Sequence, residues 1–368
     1  MTNKTIEGII AQAGALYISK PEKAETLALE GFQKSLHYKQ QATSRKAMYI
    51  LLKALFQQAK YHQALATFKQ HEPMLFLHDN DVDAMKIYNQ MGNNVYRLHE
   101  TQMAIDFYNR ALTTAYVLNN NNTIANLYNN LGNSYLILPD YNNALRYFEK
   151  AYELQKNKEL EMLCYLNMAH FYNSVDNGLK AKQYLNYFDS TKFKSIEQQL
   201  LFNINKARSL INIENFEAAE ETLYKALEPN GHSNPFWSSS MYMLLAENAS
   251  KSDAQPQIVL NHAKYATTVI EINQLKGGLY ENALKYKLKA MNKLNMHDKV
   301  LVEGAVYKEK SFNDIRKINR YAILKECLVA NFKKDNQKGI VEVKHLLNDL
   351  KEDVLQIKAQ KRQFAIVA

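Results

Sequence analysis

One helical hairpin, written repeatedly at nearly constant spacing, constrains this chain more than any other feature. Its clearest copy is Asn130–Ala151, NLGNSYLILPDYNNALRYFEKA. Leu131, Gly132 and Tyr135 share one face of a first helix, since i and i+4 lie one turn apart. Pro139 and Asp140 break that helix, and Ala144, Phe148 and Ala151 then form one face of a second. Gly132 and Ala144 present little bulk where the two helices cross, and Ala151 leaves room for the helix that follows.

The same offsets recur along the chain. Upstream they fall on Gly92, Ala104, Tyr108 and Ala111. Downstream they fall on Ala169, Ala181, Leu185 and Phe188, then on Ala207, Ala219, Leu223 and Ala226. Leu52, Ala64 and Phe68 give another copy, and Gln12, Ala24, Ala28 and Gly31 a fainter one. The first position of each copy is thus 12, 52, 92, 132, 169 and 207, with steps of 40, 40, 40, 37 and 38 residues. Six prolines and eleven glycines, few for 368 residues, fall mostly where helical patterns pause. Alternating strand patterns are nearly absent, so the expected class is all-α. A repeat array can run as one body where an ordinary chain of this length would divide.

This pattern resembles the tetratricopeptide repeat, whose helix-turn-helix unit carries Leu-Gly-x-x-Tyr, then Ala, an aromatic and Ala at these offsets. The match is strongest over Asn130–Ala151, good over Met91–Ala111 and Ala207–Ala226, and partial elsewhere. The repeat is longer than the family's usual length of about 34 residues and lacks its terminal proline. Elongated units of this kind are similar to those of kinesin light chains, some G-protein-signalling scaffolds and bacterial peptide-pheromone receptors. The resemblance implies a right-handed superhelical solenoid of antiparallel helix pairs with a concave inner face.

Three regions are expected: an array of about six helix pairs over 1–230, diverged pairs and a long helix over 231–334, and a terminal helix over 335–368. The turn-rich run EPNGHSNP, Glu228–Pro235, reads as a hinge or as a long inter-repeat loop. Helical patterning resumes over Phe236–Ser250, Ile258–Ile272, Leu279–Leu294, Asp298–Lys310 and Phe312–Phe332. In the terminal helix Ile340, Val343, Leu347, Leu350, Val354 and Ile357 make an a/d stripe, which Lys361 and Phe364 continue. The stripe reads either as a cap on the last repeat or as a homodimer stalk through 340–364. In a parallel dimer Asp353 and Lys358 would pair across the seam.

Chemistry leaves few marks. There is no Gly-rich phosphate loop, His-Glu-x-x-His, Cys-x-x-Cys or Gly-x-Ser-x-Gly, and no paired carboxylates set for acid–base work. No enzyme, cofactor or metal is expected. Two cysteines, Cys164 and Cys327, suit a reducing cytoplasmic setting, and neither a secretory leader nor a membrane span is expected. From Glu281 to Ala368 nineteen Lys and Arg face eleven Asp and Glu, a net of +8, while the first 280 residues carry about +1 of the total +9. That basic third suits an acidic partner surface, nucleic acid or an anionic membrane, or is a solvated lysine-rich surface. Its aromatics are too scattered to stack bases, which leaves nucleic acid a minor reading.

In the resembled family the first helix of each hairpin lines the groove. Counted from the small residue, groove-facing positions lie six and three before it, and one and four to five after it. These are Lys86, Asn89, Asn93, Tyr96 and Arg97, then Asn126, Asn129, Asn133 and Leu136. They continue as Leu166, His170 and Asn173, then Ile204, Arg208 and Asn212. Asparagine donates and accepts at once, so a row of them can clamp an extended peptide backbone, with Lys and Arg holding a carboxylate. Two functions are therefore expected: a non-catalytic adaptor binding a peptide or protein segment in the groove, or a sensory module of a bacterial signalling or transcription-control system. The second would signal through the C-terminal helix.

Overall fold

The computed structural model describes residues 3–75, 81–154, 158–187, 193, 195–228, 234–273, 275, 278–309 and 314–365. Phe188 and the run 229–233 lie outside these residues. The described residues are helical, with no strand among them.

The helices follow one another as hairpins. The first four are α1 (Asn3–Leu16) with α2 (Pro21–His37), α3 (Gln41–Gln57) with α4 (Tyr61–Leu75), α5 (Val82–Arg97) with α6 (Thr101–Val117), and α7 (Asn121–Ile137) with α8 (Tyr141–Leu154). Two more are α9 (Lys158–Ser174) with α10 (Gly178–Asn186) and α11 (Ile196–Asn212) with α12 (Phe216–Ala226). Beyond the clear repeats come α13 (Pro235–Lys251) with α14 (Pro256–Ile272), and α15 (Leu279–Lys293) with the broken pair α16 (His297–Gly304) and α17 (Val306–Glu309). The last hairpin is α18 (Asp314–Lys333) with the 29-residue α19 (Gln337–Ala365). By compactness the chain forms two units, residues 1–134 with 146–161 and residues 135–145 with 162–368.

Helix starts are locally encoded. Asp81, Asn177, Ser195, Asn215 and Asn234 each accept a backbone N–H of the first turn with the side chain, satisfying donors that have no partner inside the helix. Helix ends repeat one device. Ala59, His99, Asp176, Glu214, Asp253, Asn295 and Asp335 all take positive φ, between 50° and 63°. The next residue donates its N–H to the carbonyl five positions back, as Lys60 does to Leu55 at 2.9 Å and Asn336 to Asn331 at 3.0 Å. This closes the last turn and reverses the chain.

Wherever the hairpin is clear, this left-handed residue stands seven places after the repeat's small residue: 59 after 52, 99 after 92, 176 after 169 and 214 after 207. Asp253, Asn295 and Asp335 carry the ladder on, to Ala246, Leu288 and Leu328. The period therefore continues past residue 227, where the residue pattern fades.

The packing explains the residue types. A Cβ on Gly132 would sit 2.6 Å from the Phe148 ring, and one on Gly92 would collide with Tyr108. Leu52, Ala169 and Ala207 are buried at 0% exposure, as are Ala64, Phe68, Ala104, Ala144, Ala181 and Ala219. The first copy departs from expectation. Gln12 is exposed, its neighbour Ala13 is buried, and the close approach in that hairpin is between Gly31 and Ile10.

In the second unit one core joins Leu284, Leu288, Val300, Ile323, Leu324 and Cys327 to Val343, Leu347 and Leu350 of α19. All six apolar stripe residues of α19, Ile340 to Ile357, are buried within the chain, as in a capping helix. Asp353 pairs with Lys317 of α18 at 2.8 Å, so it is engaged inside its own chain. The far end of α19 reaches the turn after α9. There Asn177 donates to the Phe364 carbonyl at 3.0 Å, Lys361 lies 3.5 Å from Asp176, and the Phe364 ring meets Phe171 edge-on at 5.4 Å.

Candidate partner-binding face

In the first unit, successive first helices bring part of the expected row into one cleft of about 310 Å3. It is lined by Phe56 of α3, Asn93, Tyr96 and Arg97 of α5, Tyr108 of α6, and Asn130 and Asn133 of α7. The Asn93 carboxamide oxygen accepts the Tyr108 hydroxyl at 2.9 Å, which orients its NH2 group. Arg97 lies over the Phe56 ring at 5.7 Å, within cation–π reach, and is otherwise exposed. Burial raises the Tyr96 hydroxyl to a pKa of about 12 and pushes Tyr108 higher still, so both remain neutral donors at physiological pH. The cleft thus offers amide and phenol hydrogen-bonding groups, one guanidinium and aromatic walls.

The other expected residues of this unit are placed differently. Asn89 is half-buried and accepts from Asn130 at 3.2 Å, one hairpin further on. Asn126 is half-buried, and exposed Lys86 lies 3.9 Å from Asp83. Asn129 is only 3% exposed, so its side chain is packed within the hairpins rather than presented on a surface.

Of the second unit's residues, Asn173 is also 3% exposed. Its amide donates to the Asn205 carbonyl at 2.8 Å, and Asn212 donates back to the Asn173 carbonyl at 3.0 Å. These asparagines stitch α9 to α11 through backbone carbonyls, a structural use that their polarity alone does not distinguish from ligand binding. His170 is solvent-accessible, yet surrounding protein and then Arg208 hold its pKa down to about 4, so it is neutral at pH 7. Arg208 donates to Glu247 of α13, whose other oxygen is 3.2 Å from Lys251. Burial alone would raise the Glu247 pKa, but Arg208, Lys251 and Lys285 more than offset it and hold it at about 2.

Glu247, Lys251, Lys285 and Lys289 are polar residues on this face that the sequence reading passed over. Their signal was present. Glu247 and Lys289 each stand one place after Ala246 and Leu288, Lys251 stands five after Ala246, and Lys285 stands three before Leu288.

Residues 80–157 match the family of the tetratricopeptide repeat. That segment carries the tetratricopeptide pattern. Solved structures of the same class share the fold at low identity. A tetratricopeptide repeat protein from Parabacteroides merdae is 16% identical, with 77% of this chain and 100% of that one aligned, at a TM-score of 0.54. A Rap protein, solved in complex with Competence and Sporulation Factor, is 12% identical over 97% of this chain and 100% of its own, at 0.56. No curated protein matches the sequence. The all-α solenoid class and the tetratricopeptide resemblance stand as expected, and no described helix is long and apolar enough to cross a membrane.

Proposed function

We propose that this chain is a non-catalytic adaptor, acting in the cytoplasm, that binds an extended peptide or protein segment along the first-helix face of its tetratricopeptide repeats. The observation that carries this reading is the cleft in the first unit. There Asn93, Arg97 and Asn133, each at a groove-facing place of its repeat, converge with Tyr96 and Tyr108. Amides beside neutral phenols suit a peptide backbone, which needs donors and acceptors in alternation. The Rap neighbour, which shares the fold, was solved in complex with Competence and Sporulation Factor, and this supports the reading.

The test is to pan a displayed dodecapeptide library on the full chain and titrate enriched peptides by fluorescence anisotropy. Asn93→Ala with Asn133→Ala is expected to weaken binding at least tenfold with helicity unchanged. Equal affinity in the variant, or no enrichment, contradicts the proposal.

The contacts of the α19 tip with Asn177, Asp176 and Phe171 favour a second reading, a regulatory module that reports occupancy through that helix. Deleting 358–368 is then expected to change the affinity of the enriched peptides at least fivefold. An unchanged affinity leaves α19 as a cap alone.

A further inference from the structure

Beyond residue 227 several groove-facing places of the repeat carry charge: Glu247, Lys251, Lys285 and Lys289. Arg208 of α11, Lys251 of α13 and Lys285 of α15 gather around one buried carboxylate, Glu247, which is 5% exposed, while Lys289 of α15 contacts Ser250 of α13. Arg208 and Lys251 both engage it. The two α15 lysines have neutral partners among the described residues. Lys285 Nζ donates to the side-chain oxygens of Asn282 at 3.1 Å and Asn319 at 3.4 Å. Lys289 Nζ donates to Ser250 Oγ at 3.1 Å.

Arg208, Lys251, Lys285 and the nearby Lys361 therefore share the carboxylates of Glu247 and Asp176, and Lys289 adds a further cation on the same side of α15. Lys285 and Lys289 stand four residues apart, on one side of α15, and both occupy groove-facing places, so the excess is aimed in one direction. Such an arrangement is costly in the free protein. Burial, with Arg208, Lys361 and Lys251 nearby, outweighs the attraction of Glu247 and brings the Lys285 ammonium down to a pKa of about 8. Other lysines of this basic third are matched by carboxylates: Lys287 by Glu303, Lys308 by Glu342, Lys317 by Asp353 and Lys334 by Asp298. Exposed lysines such as Lys299 and Lys351 also have no such partner among the described residues, and what distinguishes Lys285 and Lys289 is their place on the first-helix face beside the Glu247 cluster.

The geometry points to a binding site on the first-helix face of α11, α13 and α15 for a peptide segment carrying at least two acidic side chains, held by Lys285 and Lys289 with Arg208 and Lys251 flanking them. A single terminal carboxylate would leave most of the excess charge unmatched. Two or more Asp or Glu side chains, spaced along an extended segment, match the number and direction of the cations. The site rests on the reading that first-helix faces bind peptides and gives the second unit its own ligand chemistry.

The experiment uses the full chain and an N-terminally labelled, C-terminally amidated decapeptide of Asp and Glu alternating with Gly and Ser. Anisotropy is expected to show saturable binding that weakens as salt rises. Lys285→Gln with Lys289→Gln should weaken it at least tenfold. Lys289→Gln alone, at an exposed position that leaves the buried cluster intact, should weaken it at least threefold. Replacing the peptide's Asp and Glu with Asn and Gln should abolish binding. The charge-matched control, Lys182→Gln with Lys264→Gln on exposed second-helix positions, should change affinity less than twofold.

Equal loss in the control, equal binding of the Asn/Gln peptide, or no saturable binding overturns the proposal. Displacement by millimolar inorganic phosphate at constant ionic strength would reassign the site to small anions and overturn it too. Asn93→Ala with Asn133→Ala should leave acidic-peptide binding intact. Failure of this site therefore stays distinguishable from failure of the first-unit cleft.

Discussion

Gly8 and Gly132 both sit inside helices, and their surroundings assign them opposite signs. A Cβ at Gly8, on the exposed side of α1, meets nothing within 4 Å, so alanine brings only its helix propensity, worth about 1 kcal/mol. At Gly132 the same propensity gain competes with collision against the buried Phe148 ring, and overpacking costs about 1–3 kcal/mol. Chemical denaturation should show Gly8→Ala more stable than the parent, by up to about 1 kcal/mol, and Gly132→Ala less stable, by up to about 2 kcal/mol. Stabilisation by Gly132→Ala would contradict the close crossing of α7 and α8. Gly132 was readable as a scaffold residue because its role follows from its size. The asparagines were not separable in that way. Asn93 lines a cleft while Asn173 is committed to the Asn205 carbonyl, and no one-dimensional pattern tells a side chain which of two polar partners it will meet.

At the scale of elements, the left-handed turn residue is the most regular feature of the hairpins, and glycine fills none of the seven places described above. A non-glycine residue there pays a steric penalty of about 1–2 kcal/mol. Ala59→Gly, at an exposed turn between α3 and α4, removes that penalty and loses no side-chain contact of consequence. Thermal and urea unfolding should show a gain of about 0.5–1 kcal/mol, less than the full penalty because glycine also has a more mobile unfolded chain. A loss of stability would argue against the turn geometry.

The same element scale explains where the repeat becomes unreadable. The connection between α13 and α14 has four residues, 252–255, where the neighbouring connections have three, such as 213–215 between α11 and α12. Every later position in α14 is therefore displaced by one, and the buried small residues become Ala263 and Ala266. In the next hairpin the sizes are exchanged. Leu288 takes the small place and Gly304 the bulky one, with the vacated space filled by Cys327 and Leu288 itself. Volume is conserved across the crossing while the residue pattern inverts, so pattern matching stops before the architecture does.

For the molecule as a whole, the repeat supplies one address system for two kinds of chemistry. Groove-facing places gather amides and phenols in the first-unit cleft and, on α11, α13 and α15 of the second unit, the cations Arg208, Lys251, Lys285 and Lys289, on the same scaffold positions counted from each repeat's small residue. The fold class was open to reading from residues 12–226 because spacing and size recur there. The proposed binding face was open only in part, because its members vary from repeat to repeat while the scaffold stays constant.

The central claim is that partner contacts track those groove-facing places. The most direct measurement is a crystal structure of the full chain with a peptide enriched by panning. The peptide should lie in the first-unit cleft, with its backbone within hydrogen-bonding distance of Asn93 and Asn133 and beside Arg97. A peptide seated on the second-helix face, with those three residues untouched, would contradict it.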